Sequence, residues 1–524
     1  MFPSPSVEYG QLWPLLLVFG AACAGVLVEA FVPRARRFGV QAGLALGAVV
    51  AALGGTISVA AGLPALPGGA DAHGLIATGG ALALDGPALY LQALVLVCAL
   101  GGVLLFAERR LGGGVTAFAG QAAALPGSGA ERRGADLEHT EIFPLLLFAV
   151  GGMMLFPAAN DLLLLFVALE VLSLPLYLLT GLARRRRLLS QEAAMKYFLL
   201  GALSSAFLLY GAALVYGATG AMRFADIRVA PAANDDATLL RVGIALMAVG
   251  LLFKVGAVPF QAWTPDVYQG GPTPLVAFMS AGTKIAAFGA LLRLFYVAFG
   301  NEVSDWRPLM WAVAIATMLV GAVVALVQTD VKRMLGYSAI THAGFVLTGM
   351  IGLQATPTNG SLSSTQSVLF YLTAYAVAVV GSFALASLVR DAGGEAGGFV
   401  AWTGLGRRSP LLGGLLAVFM LSLAGIPPTA GFIAKWNVIA SAAGADAWLV
   451  VGVALLASFI AIVSYVRLLL MVFFRDPTPA TAAVATPSVL TSGVIAACAL
   501  ATLLLGLVPG PLLDLVARTG TFIG

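Results

Sequence analysis

The sequence contains 524 residues, of which 60% are hydrophobic and only 10% are charged, with a formal net charge of +4 and a mean hydropathy of +0.98. This composition excludes a soluble globular domain, in which about a quarter of the residues are charged. It predicts an integral membrane protein.

Apolar runs of about twenty residues recur along the chain, and each can cross roughly 30 Å of hydrocarbon as a helix. The first ten residues lack a basic segment, so the run that begins at Gln11 is interpreted as a membrane span and not as a cleaved signal peptide. We predict fourteen spans, at residues 11–32, 41–63, 87–107, 141–157, 161–182, 192–217, 238–268, 274–298, 308–329, 334–353, 364–389, 410–441, 447–473 and 487–509.

Two of these segments are too long for one straight helix. At about 1.5 Å per residue, residues 238–268 and 410–441 would each extend about 46 Å, well beyond the hydrocarbon core. The first contains Gly256 and Pro259, and the second contains Gly425 followed by two prolines. We therefore predict that spans seven and twelve are broken helices.

The broken spans are five apart in order, so they cross the membrane in opposite directions, as two inverted repeats of five helices would require. The predicted fold class is an all-α polytopic membrane protein with about 14 transmembrane helices and two inverted five-helix repeats. Its predicted parts are an N-terminal three-helix segment with a cytoplasmic loop (1–140), a first repeat of helices 4–8 (141–300), a second repeat of helices 9–13 (301–475) and helix 14 (476–524).

Basic residues mostly follow the odd-numbered spans. These residues are Arg34, Arg36, Arg37, Arg109, Arg110, Arg132, Arg133, Arg184, Arg185, Arg186, Arg187, Lys332, Arg333, Arg390, Arg407, Arg408 and Arg475. The opposite side has only Arg223, Arg228, Arg241, Arg307 and Arg518. The positive-inside rule then predicts that both termini are periplasmic.

Four of the five lysines lie within predicted spans: Lys196, Lys254, Lys284 and Lys435. Arginine keeps its proton at any useful pH, whereas the pKa of a desolvated lysine can fall towards neutrality. Glu170 is the one carboxylate well inside a span. Because each charge in a membrane costs about 2.5–3.5 kcal/mol on insertion scales, these residues predict proton exchange.

Structural interpretations compete with this one. Lys196 follows Gln191 and Glu192 near a helix start, so its ammonium group could extend to the membrane interface. Lys435 could approach the outer interface in the same way. Glu170 could simply neutralise a lysine for packing. Lys254 and Lys284 lie too deep in their spans for this interpretation to fit well.

His342 is the only histidine inside a predicted span. With Ser338 and Thr341 nearby it could order water and relay a proton, and a hydrogen-bonded packing role fits equally well. Arg293 and Arg467 lie near the ends of their spans and are interpreted as anchors. The three cysteines are scattered through the spans, without the spacing of metal ligands.

Five motifs in order resemble the antiporter-like membrane subunits of respiratory NADH:quinone oxidoreductase (complex I), and the resemblance covers nearly the whole chain. They are ALEVLSLPLYLL, QEAAMKYFLLGALSSAFLLYG, LLFKVGAVPFQAWTPDVYQGGPTPLVAFMSAGTKIAAFG, QTDVKRMLGYSAITHAGF and LSLAGIPPTAGFIAKWNVI. The lysine at 435 and the short C-terminal segment are similar to the subunit N branch of this family.

The resemblance implies roles for individual residues. It implies that Glu170 pairs with Lys254, that Lys284 passes the proton towards the centre, and that Lys435 communicates with the outside. Lys196 matches an additional lysine of the subunit N branch. We add His342 as a candidate relay between Lys284 and Lys435.

The resemblance also implies the setting of the chain. It implies a proton-translocating, non-redox subunit in the bacterial inner membrane, driven by quinone reduction elsewhere. The FMN, iron-sulfur clusters and quinone would be held by other subunits, with no cofactor in this chain. The implied partners are neighbouring antiporter-like and small membrane subunits and the lipid bilayer, with no nucleic acid. The alternative is a subunit of a multi-subunit sodium/proton antiporter.

Overall fold

The computed structural model describes residues 7–65, 73–120, 129, 138–230, 237–353, 362–391 and 393–524. In the first part of the chain the helices are α1 (Tyr9–Phe31), α2 (Arg34–Ala61), α3 (Gly86–Phe106), α4 (Ile142–Leu155), α5 (Leu162–Thr180), α6 (Arg187–Thr219), α7 (Phe224–Val229), α8 (Ala237–Val255), α9 (Trp263–Gly270) and α10 (Thr273–Arg293).

The second part has a similar helical content. Its helices are α11 (Val303–Val327), α12 (Val331–Met350), α13 (Ser364–Ala386), α14 (Leu405–Arg408), α15 (Pro410–Ala424), α16 (Ala430–Ala443), α17 (Trp448–Phe474), α18 (Val489–Leu507) and α19 (Gly510–Ala517). Asp85, Asp161, Asp330 and Ser488 cap the N-termini of α3, α5, α12 and α18 with their side chains.

The membrane class predicted from composition is confirmed. Within the described ranges, eleven helices are long and apolar enough to cross a membrane: α1, α2, α3, α5, α6, α8, α10, α11, α13, α17 and α18. The other three predicted spans correspond to the shorter apolar helix α4, to the more polar α12 and to the two shorter helices α15 and α16. The count of fourteen therefore stays a prediction.

Short strands occur only in the loops of the described chain, so the helical class holds for the membrane part. Strands β1 (Gly74–Ala77) and β2 (Leu82–Asp85) form an antiparallel hairpin. Strands β3 (Val389–Asp391), β4 (Gly394–Glu395) and β5 (Ala483–Val484) form a small antiparallel sheet in the order β4-β3-β5.

Three helices form the centre of the protein. Every residue of α10 is buried, and nearly every residue of α12 and α13 is buried as well. Helix α10 packs on α3 and α13, while α12 packs on α9, α11 and α16. A fully buried helix excludes lipid from all its faces, so polar side chains on α10 and α12 must find partners inside the protein.

Arg293, predicted to be a membrane anchor, is instead part of a fully buried ion pair with Asp85. Both side chains are 0% exposed, and Arg293 Nη2 lies 2.7 Å from Asp85 Oδ2. The guanidinium also donates to the carbonyls of Pro157 and Ile523, each at 2.7 Å, and Asp85 accepts from the backbone N–H of Ile523 at 2.9 Å. The pair joins the end of α10, the β1–β2 hairpin and the C-terminal tail.

Candidate functional site

The first predicted break is confirmed between α8 and α9. Helix α8 ends at Val255, and Gly256 follows with a φ of +75°, a conformation that glycine adopts without a steric penalty. The break leaves backbone groups without helical partners at membrane depth, and side chains satisfy them. Trp263 Nε1 donates to the carbonyl of Phe253 at 2.9 Å, and Thr317 Oγ1 accepts from the N–H of Val258 at 3.0 Å.

The second break repeats the local pattern of the first. Helix α15 ends at Ala424, Gly425 follows with a φ of +79°, and α16 begins at Ala430. In both breaks a proline stands four residues after the last helical residue, at Pro259 and Pro428. Proline has no N–H, so the carbonyl of that last helical residue cannot accept its usual helical hydrogen bond.

Lys284 donates to the carbonyl that the first break leaves free. Its side chain is buried on α10, and Nζ lies 2.6 Å from the carbonyl oxygen of Val255. Val255 is the residue directly after Lys254, so the acceptor of Lys284 is next to Lys254 in the chain. The broken helix thus supplies an uncharged acceptor for a buried amine.

Lys435 makes the equivalent contact at the second break. Its Nζ donates to the carbonyl of Ala424 at 2.8 Å and to Ser458 Oγ at 3.0 Å, and it lies 4.8 Å from the centroid of the Phe345 ring. The side chain is only 5% exposed. The alternative in which Lys435 extends to the outer interface does not fit this geometry.

Lys254 is buried among hydroxyl groups and aromatic rings. Its Nζ donates to Ser173 Oγ at 2.7 Å and to the Tyr197 hydroxyl at 3.3 Å. It also lies 5.8 and 5.4 Å from the ring centroids of Tyr177 and Tyr197. Trp263 stacks on Tyr197 with 4.6 Å between the ring centroids, which braces the pocket from the side of the break.

Glu170 does not form the direct ion pair with Lys254 that the resemblance implies. Both side-chain hydrogen bonds of Lys254 go to hydroxyls, and Glu170 Oε1 is buried without a hydrogen-bond partner in the described part of the protein. Glu170 is half-buried and lies one helical turn before the buried Ser173 on α5.

His342 lies in a cluster of tyrosines between the two later lysines. Its Nδ1 is 2.6 Å from the Tyr371 hydroxyl, and its Nε2 is 3.5 Å from the Tyr465 hydroxyl. The predicted neighbour Ser338 reaches this cluster through Tyr465, 2.5 Å from that hydroxyl.

Lys196 differs from the other predicted lysines because it is not desolvated. Its side chain is 43% exposed and forms ion pairs with Glu192 at 2.6 Å and Asp266 at 2.7 Å. Asp266 also pairs with Arg333, at 2.6 Å. These contacts support the interpretation that Lys196 reaches the membrane interface.

We therefore expect the complex with the Lys196→Arg substitution to pump protons normally. Arginine preserves the charge and can still pair with the two carboxylates, and an exposed ion pair contributes only about 0–1 kcal/mol. Proton pumping and assembly of the reconstituted complex measure the effect. A loss of pumping with normal assembly would show that Lys196 itself exchanges protons.

Gly425→Ala is expected to disturb Lys435 directly. An added Cβ would lie 2.7 Å from Lys435 Cδ and 3.2 Å from its Nζ, and the left-handed backbone would cost an alanine about 1–2 kcal/mol. The amine must therefore leave the carbonyl of Ala424, and proton pumping by the assembled complex should fall severalfold. Gly414→Ala is the matched control, because a Cβ at this exposed position of α15 would meet nothing within 4 Å. Equal pumping by the two variants would contradict the expectation.

Sequence reasoning missed the hydroxyl partners of the buried amines and imidazole. These partners are Ser173, Tyr197, Tyr371, Ser458 and Tyr465. Ser173 stands one helical turn after Glu170, and this spacing was the available signal for it. The others give no local signal because they come from distant segments.

Comparisons with known proteins cover the part of the chain that contains these residues. The family model described as NADH:quinone oxidoreductase/Mrp antiporter, TM matches residues 159–461, which include both breaks and all the candidate residues. The NADH-quinone oxidoreductase subunit N of a Nocardioides species is 62% identical over 533 aligned positions, covering 100% of this chain and 99% of the relative. The subunit of the same name from Mycobacterium tuberculosis is 51% identical over 544 positions, covering 100% of each chain.

Solved structures are similar as well. A chain of respiratory complex I from Thermus thermophilus with bound aureothin has a TM-score of 0.75 and 34% identity, covering 97% of this chain and 100% of that one. A chain of the Mrp complex from a Dietzia species has a TM-score of 0.80 with 21% identity, covering 98% of this chain and 97% of that one. At this identity, the Mrp match shows the fold alone. The chain therefore belongs to the NADH:quinone oxidoreductase/Mrp antiporter transmembrane family, and within it to the subunit N group of NADH-quinone oxidoreductase.

Proposed function

We propose that this chain is a proton-translocating membrane subunit of NADH:quinone oxidoreductase, driven by quinone reduction in other subunits. One observation carries the proposal. The three buried lysines Lys254, Lys284 and Lys435 each hold Nζ against uncharged oxygens, and two of these oxygens are carbonyls released by helix breaks.

Uncharged acceptors suit an amine that changes its protonation state. An ammonium group donates to hydroxyl and carbonyl oxygens, and a neutral amine can in turn accept a hydrogen bond from a hydroxyl. A carboxylate in direct contact would instead favour the charged amine. The Ser173 and Tyr197 hydroxyls thus allow Lys254 to be held with or without its proton.

The proposed relay passes through the buried groups in the order Lys254, Lys284, His342 and Lys435. A charge change in a neighbouring subunit alters the field of Glu170 at Lys254, and a proton then passes through Lys284 and His342 towards Lys435. Two unit charges roughly 8 Å apart interact by about 2 kcal/mol at an effective dielectric of about 20. That energy corresponds to more than a tenfold change in proton affinity.

We also propose that the redox chemistry lies outside this chain. Cys23, Cys98 and Cys498 are free thiols, and the described residues contain no group of three or more His, Cys, Asp or Glu side chains that could hold a metal ion. FMN, iron-sulfur clusters and quinone would be bound by the partner subunits. This chain would contribute proton transfer alone.

The proposed orientation has both termini in the periplasm, because the basic loops then face the cytoplasm. The proposed division has the first inverted repeat at residues 141–300 and the second at 301–475, each with one broken helix. The identical spacing from glycine to proline in the two breaks, Gly256 to Pro259 and Gly425 to Pro428, supports this division.

A sodium/proton antiporter subunit is the alternative, because the Mrp chain shares the fold. Purification of the native assembly in mild detergent separates the two functions. We expect flavin and iron-sulfur subunits to co-purify, and NADH-driven quinone reduction by the reconstituted assembly to move protons without added sodium. Co-purification with small antiporter subunits alone would reject the proposal.

A further inference from the structure

A cavity of about 110 Å³ lies on the side of the protein that carries the basic loops. It is bounded by the ends of spanning helices, namely the last residues of α3 and α13 and the first residues of α10 and α18. The connection between α5 and α6 closes it from the side. Because the ends of spanning helices lie where hydrocarbon meets water, a molecule in this cavity would be at the depth of the lipid headgroups.

Basic side chains dominate the lining of the cavity. They are Arg184, Arg185, Arg186, Lys332 and Arg390. The lining also contains two carboxylates, and both are engaged. Glu108 accepts hydrogen bonds from the Ser488 and Thr491 hydroxyls at 2.6 Å each, and Glu395 Oε2 lies 3.4 Å from Lys332 Nζ. Among the described residues of the lining the five basic side chains outnumber the two acidic ones, so the cavity favours an anion.

Two of the guanidinium groups are held in place by main-chain carbonyls. Arg184 Nε donates to the carbonyl of Thr116 at 2.9 Å. Arg186 Nη2 donates to the carbonyl of Glu395 at 2.7 Å. A carbonyl orients a guanidinium group without neutralising its charge. The planar set of N–H donors on a guanidinium matches a pair of phosphate oxygens, so these arginines favour a phosphate group among the possible anions.

Thr116 gives a second and independent indication of a ligand. Its side chain is 1% exposed and lines the cavity. Its Oγ1 is buried without a hydrogen-bond partner in the described part of the chain. A hydroxyl that has lost water and gained no partner is unfavourable, and native proteins contain few of them. An acceptor oxygen bound in the cavity would satisfy this hydroxyl.

An exposed apolar face of α6 begins immediately after the arginine run. Its residues are more than half exposed and recur at helical spacing: Leu188, Met195, Leu199 and Leu203. A second, open depression of about 730 Å³ shares three arginines with the cavity and adds Leu188 and Leu189 to its lining. The arginines therefore lie between a charged cavity and an apolar helix face, an arrangement that fits a phosphate carrying acyl chains better than a soluble phosphate.

We propose that this cavity binds the phosphate headgroup of an anionic phospholipid whose acyl chains lie along the exposed face of α6. Basic side chains at the end of a membrane span attract anionic lipids, and pockets of this kind between spans bind their headgroups. The phosphate oxygens accept hydrogen bonds from Arg186, Arg390 and the Thr116 hydroxyl. The bound lipid connects the start of α6 to the ends of the buried helices α10 and α13. Binding does not depend on proton transfer, so it is measured without transport.

Photolabelling of the intact complex tests the site. In vesicles of phosphatidylcholine with a minor fraction of phosphatidylglycerol that has a photoreactive acyl chain, we expect labelled peptides from residues 188–203. Arg186→Gln and Arg390→Gln should each reduce this labelling about fivefold, since a basic side chain near the membrane surface contributes about that factor to the binding of an anionic lipid. Arg475→Gln is the matched control, because it removes the same charge from an exposed arginine that does not line the cavity.

Thr116→Val separates a built site from general attraction by surface charge. Valine keeps the size of the side chain and the charge of the protein but removes the hydroxyl, so labelling should fall severalfold. Thr116→Ser should restore it, because serine supplies the same donor. Equal labelling of the Thr116→Val variant and the parent would overturn the assignment of the cavity, since surface charge alone would then account for the lipid.

The nature of the ligand is tested on the parent protein, so the result does not depend on the folding of a variant. Photoreactive phosphatidylcholine should label residues 188–203 at least about fivefold less than phosphatidylglycerol does. Equal labelling by the two lipids would overturn the proposal. Millimolar inorganic phosphate at constant ionic strength should leave the labelling by phosphatidylglycerol unchanged. Loss of the labelling under these conditions would show that the cavity takes a soluble phosphate, and the lipid would be wrong.

Discussion

Replacing Lys254 with arginine is expected to stop proton translocation while leaving the complex assembled. In water, a guanidinium holds its proton about a hundredfold or more tightly than a lysine ammonium. Arginine therefore keeps the positive charge near Ser173 and Tyr197 but removes the exchange of a proton. The ratio of protons moved to electrons transferred, measured in vesicles containing the reconstituted complex, should fall in the variant.

Two comparisons separate this effect from misfolding. Lys196→Arg makes the same chemical change at an exposed ion pair and should retain its pumping. Native electrophoresis should show the Lys254→Arg subunit in the full complex, because the charge remains and the hydroxyl acceptors are still present. If the assembled variant moves as many protons per electron as the parent, Lys254 is not a proton carrier.

The helix breaks were predictable because they depend on local sequence. A segment longer than the bilayer is thick must bend, extend beyond the membrane or break, and glycine followed three residues later by proline selects the break. The same prolines explain why a carbonyl is free at Val255 and Ala424. The sequence also indicated that Lys284 and Lys435 are buried, although not that these carbonyls are their acceptors.

The orientation of side chains around each helix was not predictable in the same way. Helix α10 is buried on every face, so its pattern of apolar residues does not indicate which neighbour Lys284 contacts. The residue of α5 that contacts Lys254 directly was not predictable for a related reason. A rotation of about 60° around α5 separates Glu170 from Ser173, and hydropathy does not resolve which of the two faces the lysine.

The position at which the span begins explains why Lys196 was predicted to lie within the membrane although its side chain is exposed. Helix α6 has 33 residues and is about 50 Å long, which exceeds the hydrocarbon thickness of roughly 30 Å. Its first turns can therefore project beyond the hydrocarbon, and Lys196 can form ion pairs in a polar environment. A difference of a few residues in the predicted start of a span thus changes the environment assigned to a lysine.

Asp85→Asn is expected to destabilise the protein more than any surface substitution. It would leave the Arg293 guanidinium charged and fully buried without a counter-ion, and loss of one partner from a buried pair typically costs about 3–5 kcal/mol. The N–H of Ile523 also loses its ionised acceptor, so the C-terminal tail should be held less firmly. We expect a lower free energy of unfolding in detergent and faster hydrogen exchange at residues 518–524.

Asp305→Asn is the matched control, since Asp305 pairs with Arg241 in an ion pair whose side chains are 25% and 59% exposed. Solvent stabilises both charges there, so its loss should cost no more than about 1 kcal/mol. The double variant Asp85→Asn, Arg293→Met removes the uncompensated charge and should be less destabilised than the sum of its single changes. If the effects of the two single changes on the free energy of unfolding simply add in the double variant, the two side chains act independently. The ion pair would then not be what connects the tail to the β1–β2 hairpin and to the end of α10.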